Sequence, residues 1–185
     1  CGFGVAPQWR GQGLSHQFTV GALAVARGLG LAAVQLEVIT TNPRAIRAYQ
    51  RGGFEITRDL RILVRAADAP SPTAPRNSRV VEADARKLLR RDLDERPVPP
   101  PWQRAPVALA RGAQPLALAL DDVVAPRAWL VYSAGEQSAS IGELVVHDAN
   151  DAQALLEELV HDYPGRSVSL LNAPTDDPAT PAFDV

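Results

Sequence analysis

Residues able to do chemistry cluster in the first third of the chain. The run Arg10-Gly11-Gln12-Gly13-Leu14-Ser15 stands between a short apolar segment and the start of a helical pattern. A helix start presents unpaired N–H groups and the positive end of the helix dipole, which together suit a diphosphate. Glycines at 11 and 13 let phosphates approach the backbone with no side chain in the way, and Arg10 adds a charged donor. No Gly-Lys-Ser/Thr follows, so this is not a nucleotide P-loop, and the glycine spacing does not fit a dinucleotide fingerprint. Glycine-rich turns also precede helices for structural reasons alone. A second cluster is Asn42, Ala45, Tyr49, Gly53 and Phe54. Ala45 and Tyr49 lie one turn apart and share a helix face. Taken alone, Tyr49 reads as a packed residue with a wet hydroxyl.

The surrounding pattern is α/β. Gly2–Pro7 reads as a strand ending at a proline, and Gln8–Gly13 as loop. Leu14, Phe18, Ala22, Val25 and Leu29 recur at three- to four-residue steps and mark the buried face of a helix, with Gly28 and Gly30 as its stop. Ala33–Thr40 alternates as a half-buried strand carrying Glu37. Asn42-Pro43 opens a second helix, with Asn as cap and Pro in the first turn, and Gly52-Gly53 closes it. Phe54–Ala66 reads as one or two further strands. This strand–helix–strand–helix–strand order is an α/β arrangement.

The two motifs, in this order and spacing, resemble those of the GNAT superfamily of acyl-CoA-dependent N-acetyltransferases. The family's phosphate loop falls on Arg10–Ser15, departing only in Ser15, where Gly or Ala is usual. Its second motif matches at Asn42, Ala45, Tyr49, Gly53 and Phe54. The resemblance covers residues 2–66. It implies a mixed sheet flanked by helices, in which the first two strands splay to admit the pantetheine arm of acetyl-CoA as co-substrate. It further implies backbone pairing with that arm at Val5, a diphosphate held by Arg10, Gly11, Gln12, Gly13, Leu14 and Ser15, and a pantetheine contact from Asn42. The expected reaction is direct acetyl transfer to a small-molecule amine or a protein amino group.

That chemistry makes three physical demands. An alkyl amine with a pKa of about 10.4 is protonated at neutral pH, so a base or water chain must take a proton. The tetrahedral oxyanion needs a donor, for which a backbone N–H near Gly4 or Val5 is placed. The departing thiolate needs a proton, and the phenol of Tyr49 resembles the family's general acid. Glu37 is the carboxylate on the second strand available as base, although an alternating Glu on a strand is also an ordinary solvent-facing residue.

Downstream, 68–79 holds three prolines with Ser, Thr and Asn and reads as a linker between a domain at 1–67 and another at 80–185. Val80–Asp94 reads as a helix with interleaved charges, the pattern of a solvated face. Pro97–Pro106, with Trp102 inside it, is a second proline-rich connection. The Pro-Pro-Pro-Trp-Gln-Arg104 part of it resembles the connector of bacterial two-domain members. Leu116–Leu120, Ala128–Ser133, Ser140–His147 and Ser167–Leu171 read as strands, and Asp148–His161 as a helix. Asp177-Pro178 follows Asn42-Pro43 at an offset of 135 residues, and the same offset sets Arg10–Gly13 against Val145–Asp148. Two readings stand: a degenerate GNAT-like second copy, incomplete at its end, that kept the fold and lost the phosphate loop, or chance alignment of short apolar strands.

Composition bounds the rest. With 46% apolar and 22% charged residues and a formal net charge of −2, the chain has a globular composition and no basic footprint for nucleic acid. No apolar run is long enough to cross a bilayer, and Cys1-Gly-Phe-Gly lacks a signal-peptide pattern. One cysteine fits a reducing cytoplasm, and Cys1 itself reads as a small strand residue. His16, His147 and His161 have no metal-ligand spacing, so no metal is expected. Without a Met and with no clear element end at Phe183-Asp-Val, the chain reads as a fragment whose first domain lacks its acceptor-shaping half. The alternative function is a non-catalytic acyl-CoA-binding or interaction domain; oligomeric state is left open.

Overall fold

The computed structural model describes residues 4–95, 100–101, 104–110 and 114–184, with the side chains of 92–95 outside that description. Trp102 and the first residues of the expected Gly2–Pro7 strand fall outside it. The chain divides into two compact units, Cys1–Thr57 and Arg58–Val185.

The first unit holds a 3-10 turn at Pro7–Trp9 and two helices, α1 (Leu14–Gly28) and α2 (Pro43–Arg51). Both helices are where their start and stop signals put them. The expected strands are not formed: Gly4–Ala6 and Ala33–Ile39 carry no strand assignment. A strand exists only through its ladder, and Ala33–Ile39 has no ladder partner among the described residues. Val34 and Ile39 are accordingly exposed despite the alternating pattern. The buried face of α1 also differs from expectation. Phe18, Val25 and Leu29 are 55%, 64% and 71% exposed, whereas Thr19 and Ala26 are buried. The reason is the neighbour available within the unit: α1 packs against α2, with Gly52 set directly against the Thr19 side chain.

The second unit is a six-stranded mixed sheet in the order β1-β6-β5-β4-β3-β2, flanked by helices on both faces. Its strands are β1 (Leu60–Arg65), β2 (Val80–Glu82), β3 (Leu116–Leu120), β4 (Ala128–Ala134), β5 (Ser138–Val145) and β6 (Ser167–Pro174). Every pair is antiparallel except β5 with β6, which are joined through helix α5 (Ala149–Asp162). A parallel pair needs such a crossover. The expected helix at Val80–Asp94 is corrected to β2 followed by α3 (Ala85–Glu95). The β-branched Val80 and Val81 pair with Leu120 and Ala119, and Asp84 starts the helix by accepting the Arg86 and Lys87 amides at 2.9 and 3.1 Å.

Leu155, Leu156, Leu159 and Val160 of α5 pack one sheet face against Leu130, Ile141, Val168 and Leu170. On the other face lie α3 and the short α4 (Pro106–Ala110), over Ala117, Ala119, Trp129 and Val131. The segment before β2 lies along α5: Arg76 pairs with Glu158 and Asp162, and the Asn77 amide donates to Glu158 at 3.1 Å. Truncating the fully buried Leu155 to Ala is expected to destabilise this unit by about 2–5 kcal/mol. The urea midpoint of the sheet's CD signal checks this, and an unchanged midpoint would contradict the packing described.

Candidate acyl-CoA site

The loop before α1 is shaped by its glycines. Gly11 and Gly13 have φ of 80° and 77°, left-handed values that a side chain rarely tolerates, and neither has a neighbour within 4 Å of where a Cβ would stand. Gly13 is the N-cap residue of α1, and no side chain caps the helix. The first intrahelical bonds run from His16 and Gln17 to the Gly13 carbonyl at 3.0 and 3.1 Å, which leaves the amides of Leu14 and Ser15 ahead of the ladder. Arg10 folds back so that its Nε donates to the Val5 carbonyl at 3.0 Å, tying the loop to the segment before it. Arg10 to Leu14 thus form an exposed turn that leads into open helix-start amides, an arrangement suited to a diphosphate.

The second motif is built around α2. Asn42 Oδ1 accepts the Ala45 amide at 3.1 Å and Pro43 fills the first turn, so the side chain of Asn42 serves as helix cap here. At the far end Gly53 has φ of 93°, and the Phe54 amide reaches back to the Tyr49 carbonyl at 3.1 Å, closing the helix in the Schellman manner. Tyr49 is half-buried, its ring edge-on to Phe54 at 6.0 Å between centroids. Glu37, also half-buried, lies on the extended segment leading into α2. The residues that join the two motifs are ones the motif spacing does not single out. Gly52 meets Thr19, and the Thr19 hydroxyl donates to the Ser15 carbonyl at 2.8 Å. A glycine pair ending α2 was the available signal for that close approach.

The helix start 135 residues on, at α5, carries opposite chemistry. Asp148 caps α5 by accepting the Asp151 amide at 2.9 Å, and Arg127 bridges Asp148 and Asp151. The Asp151 amide, helped by the Asn150 amide and Arg127, holds the Asp148 carboxyl below the usual carboxylate range. Among the described residues no group of three or more His, Cys, Asp or Glu is arranged to hold a metal, and His161 instead faces the Ala74 carbonyl at 3.1 Å. No helix is long and apolar enough to cross a membrane among those residues.

The Asp148 geometry sets a pH dependence. A carboxyl whose folded pKa is lowered adds stability above its ordinary value of about 3.9, and that stability is lost as pH falls through the folded value. Asp148→Asn, which keeps a capping oxygen, is therefore expected to lower the urea midpoint at pH 6, by a gap that narrows as pH falls below the ordinary carboxylate range. A gap that does not narrow with falling pH would contradict the charged cap.

Residues 1–54 match the model of the acetyltransferase (GNAT) family. No match was found among curated proteins. Among solved structures, the chain is similar to a GCN5-related N-acetyltransferase from Sphaerobacter thermophilus, with 17% identity, a TM-score of 0.60, and coverage of 97% of this chain and 65% of that one. It is also similar to one from Anabaena variabilis (13%, 0.64, covering 98% and 49%) and one from Kribbella flavida (21%, 0.60, covering 100% and 47%). The chain thus spans about half to two thirds of the length of these relatives. Residues 1–54 thus match the GNAT acetyltransferase family, and the chain as a whole has the fold of the GCN5-related N-acetyltransferases it is similar to.

Proposed function

We propose that the first unit is the acetyl-CoA-binding part of an N-acetyltransferase acting on a small-molecule amine or a protein amino group in the cytoplasm. The observation that carries this reading is the uncapped start of α1 behind two left-handed glycines, with Arg10 beside it. A diphosphate there would accept from amides the helix leaves open. Val5, whose carbonyl already takes a hydrogen bond from Arg10, stands at the edge of the same turn. Asn42 and the amides of Gly11–Ser15 would then hold the rest of the cofactor. Tyr49 would protonate the departing thiolate, and Glu37 would take the proton from the amine.

In this reading the second unit is a degenerate copy of the same fold. Support comes from α5, whose first residue follows that of α1 at the repeat offset. Its acidic helix start would repel a diphosphate. The alternative, a non-catalytic acyl-CoA-binding domain, differs in one outcome: cofactor is bound and no thiol is released.

Tyr49→Phe is expected to lower turnover about 100-fold, the low end for a general acid, with cofactor affinity held. Free thiol release from acetyl-CoA with an amine panel measures the first, and calorimetry with CoA the second. Unchanged turnover would remove Tyr49 from the acid role.

A further inference from the structure

Strands β5 and β6 pair in parallel only from Ser138/Ser167 to Ile141/Leu170, although β5 runs on to Val145 and β6 to Pro174. Both strands carry an irregularity at that point. Gly142 is an extra residue in β5 against β4, where Val131 and Tyr132 oppose Glu143 and Ile141. Leu171–Asn172 stand opposite Ile62 alone, and Asn172 has φ of 56°. Two bulges placed directly after the last parallel pair bend the strands apart into a fork.

The fork is filled from the connector before α4. Arg104 Nη2 donates to Glu143 Oε1 at 2.6 Å, and Nη1 donates to the Asn172 carbonyl at 3.4 Å and stands 3.9 Å from Asp177 Oδ2. The side chains of Arg104 and Glu143 are 5% and 0% exposed. The same Glu143 oxygen accepts the Leu144 amide at 3.0 Å, and Arg104 Nε has no hydrogen-bond partner among the described residues. One guanidinium therefore spans two strands where their own ladder has stopped, held by a carboxylate on one and a carbonyl on the other. A planar group with forked donors fits this better than an ammonium.

We propose that the β5–β6 fork is a guanidinium slot occupied by the chain's own Arg104. Resting on the acyl-CoA reading of the first unit, its consequence is that the second unit is closed to cofactor by an internal ligand, not merely by the loss of a phosphate loop. In Arg104→Ala the slot takes a free guanidinium. Hydrogen exchange followed by mass spectrometry reads this directly. Protection of Gly142–Val145 and Asn172–Ala173 is expected to fall about tenfold or more in the variant, with Ser138–Ile141 unchanged. Millimolar methylguanidinium restores it and methylammonium does not. If Arg104→Ala unfolds, methylguanidinium is expected to restore its helical CD signal. Unchanged protection, or a loss that methylguanidinium does not reverse, overturns the slot. A folded Arg104→Met, Glu143→Leu double variant, in which the pair is replaced by apolar side chains, is expected not to respond to the additive; a response at the same amides would overturn the slot as well.

Cofactor closure has its own readout. CoA titrated into Gly13→Val is expected to show no binding, and residual binding that protects Gly142–Val145 overturns the closure. If the parent chain binds no CoA, the reading of the first unit fails, while the exchange experiment still decides the slot.

Discussion

Every α-helix begins with amides that its own ladder cannot satisfy, and what the chain places before them decides what the helix start can hold. In α1 it places Gly11 and Gly13 in left-handed backbone, with Arg10 alongside and no capping side chain. In α5 it places Asp148, whose carboxylate satisfies the Asp151 amide and draws in Arg127. The same local requirement thus yields an open anion cradle in one case and a closed acidic cap in the other. The difference is a handful of residues, and it is electrostatic: one start leaves its amide donors open, and the other answers one of them with a carboxylate.

The same economy governs the sheet of the second unit. A parallel pair joined by a helix is the costlier way to neighbour two strands, and here it is sustained by packing α5 across the sheet with Leu155, Leu156, Leu159 and Val160. Where Gly142 and Asn172 bend the strands apart, backbone groups would be left without ladder partners in the interior. A buried ion pair is seldom a net source of stability, because both charges lose their water. Arg104 with Glu143 is better understood as the means by which the fork is satisfied than as a strut added to a finished fold.

Much of this was legible in the sequence, and the parts that were not have physical causes. Helix α2 announces itself through Asn42-Pro43 because capping is local chemistry, and α1 and α5 through the three- to four-residue spacing of their apolar residues. Leu116–Leu120 shows as an apolar run because β3 sits inside the sheet. By contrast, the alternation at Ala33–Thr40 states which side chains suit a strand and cannot say whether a ladder partner is present. The burial of α1 failed for the same reason: Phe18, Val25 and Leu29 have the right spacing, while Thr19 has the neighbour. Val80–Glu82 was hidden by the helical charge pattern that follows Asp84. Nothing in the local sequence of Arg104 distinguishes it from a surface arginine, since its partners Glu143 and Asn172 are set by bulges remote in the chain. The glycine turn before α1 was legible at Gly11 and Gly13, and the Ser15–Thr19–Gly52 link that joins it to α2 was not.

The central claim is that the start of α1 binds the cofactor diphosphate. Titrating CoA into isotope-labelled protein and following backbone amide shifts by NMR tests it most directly. The largest changes are expected at Gly11, Gly13, Leu14 and Ser15, with Ala149–Asp151 at the acidic helix start unmoved. Amides of Gly11–Ser15 that stay in place while CoA binds, or that shift no more than those of Ala149–Asp151, would contradict it.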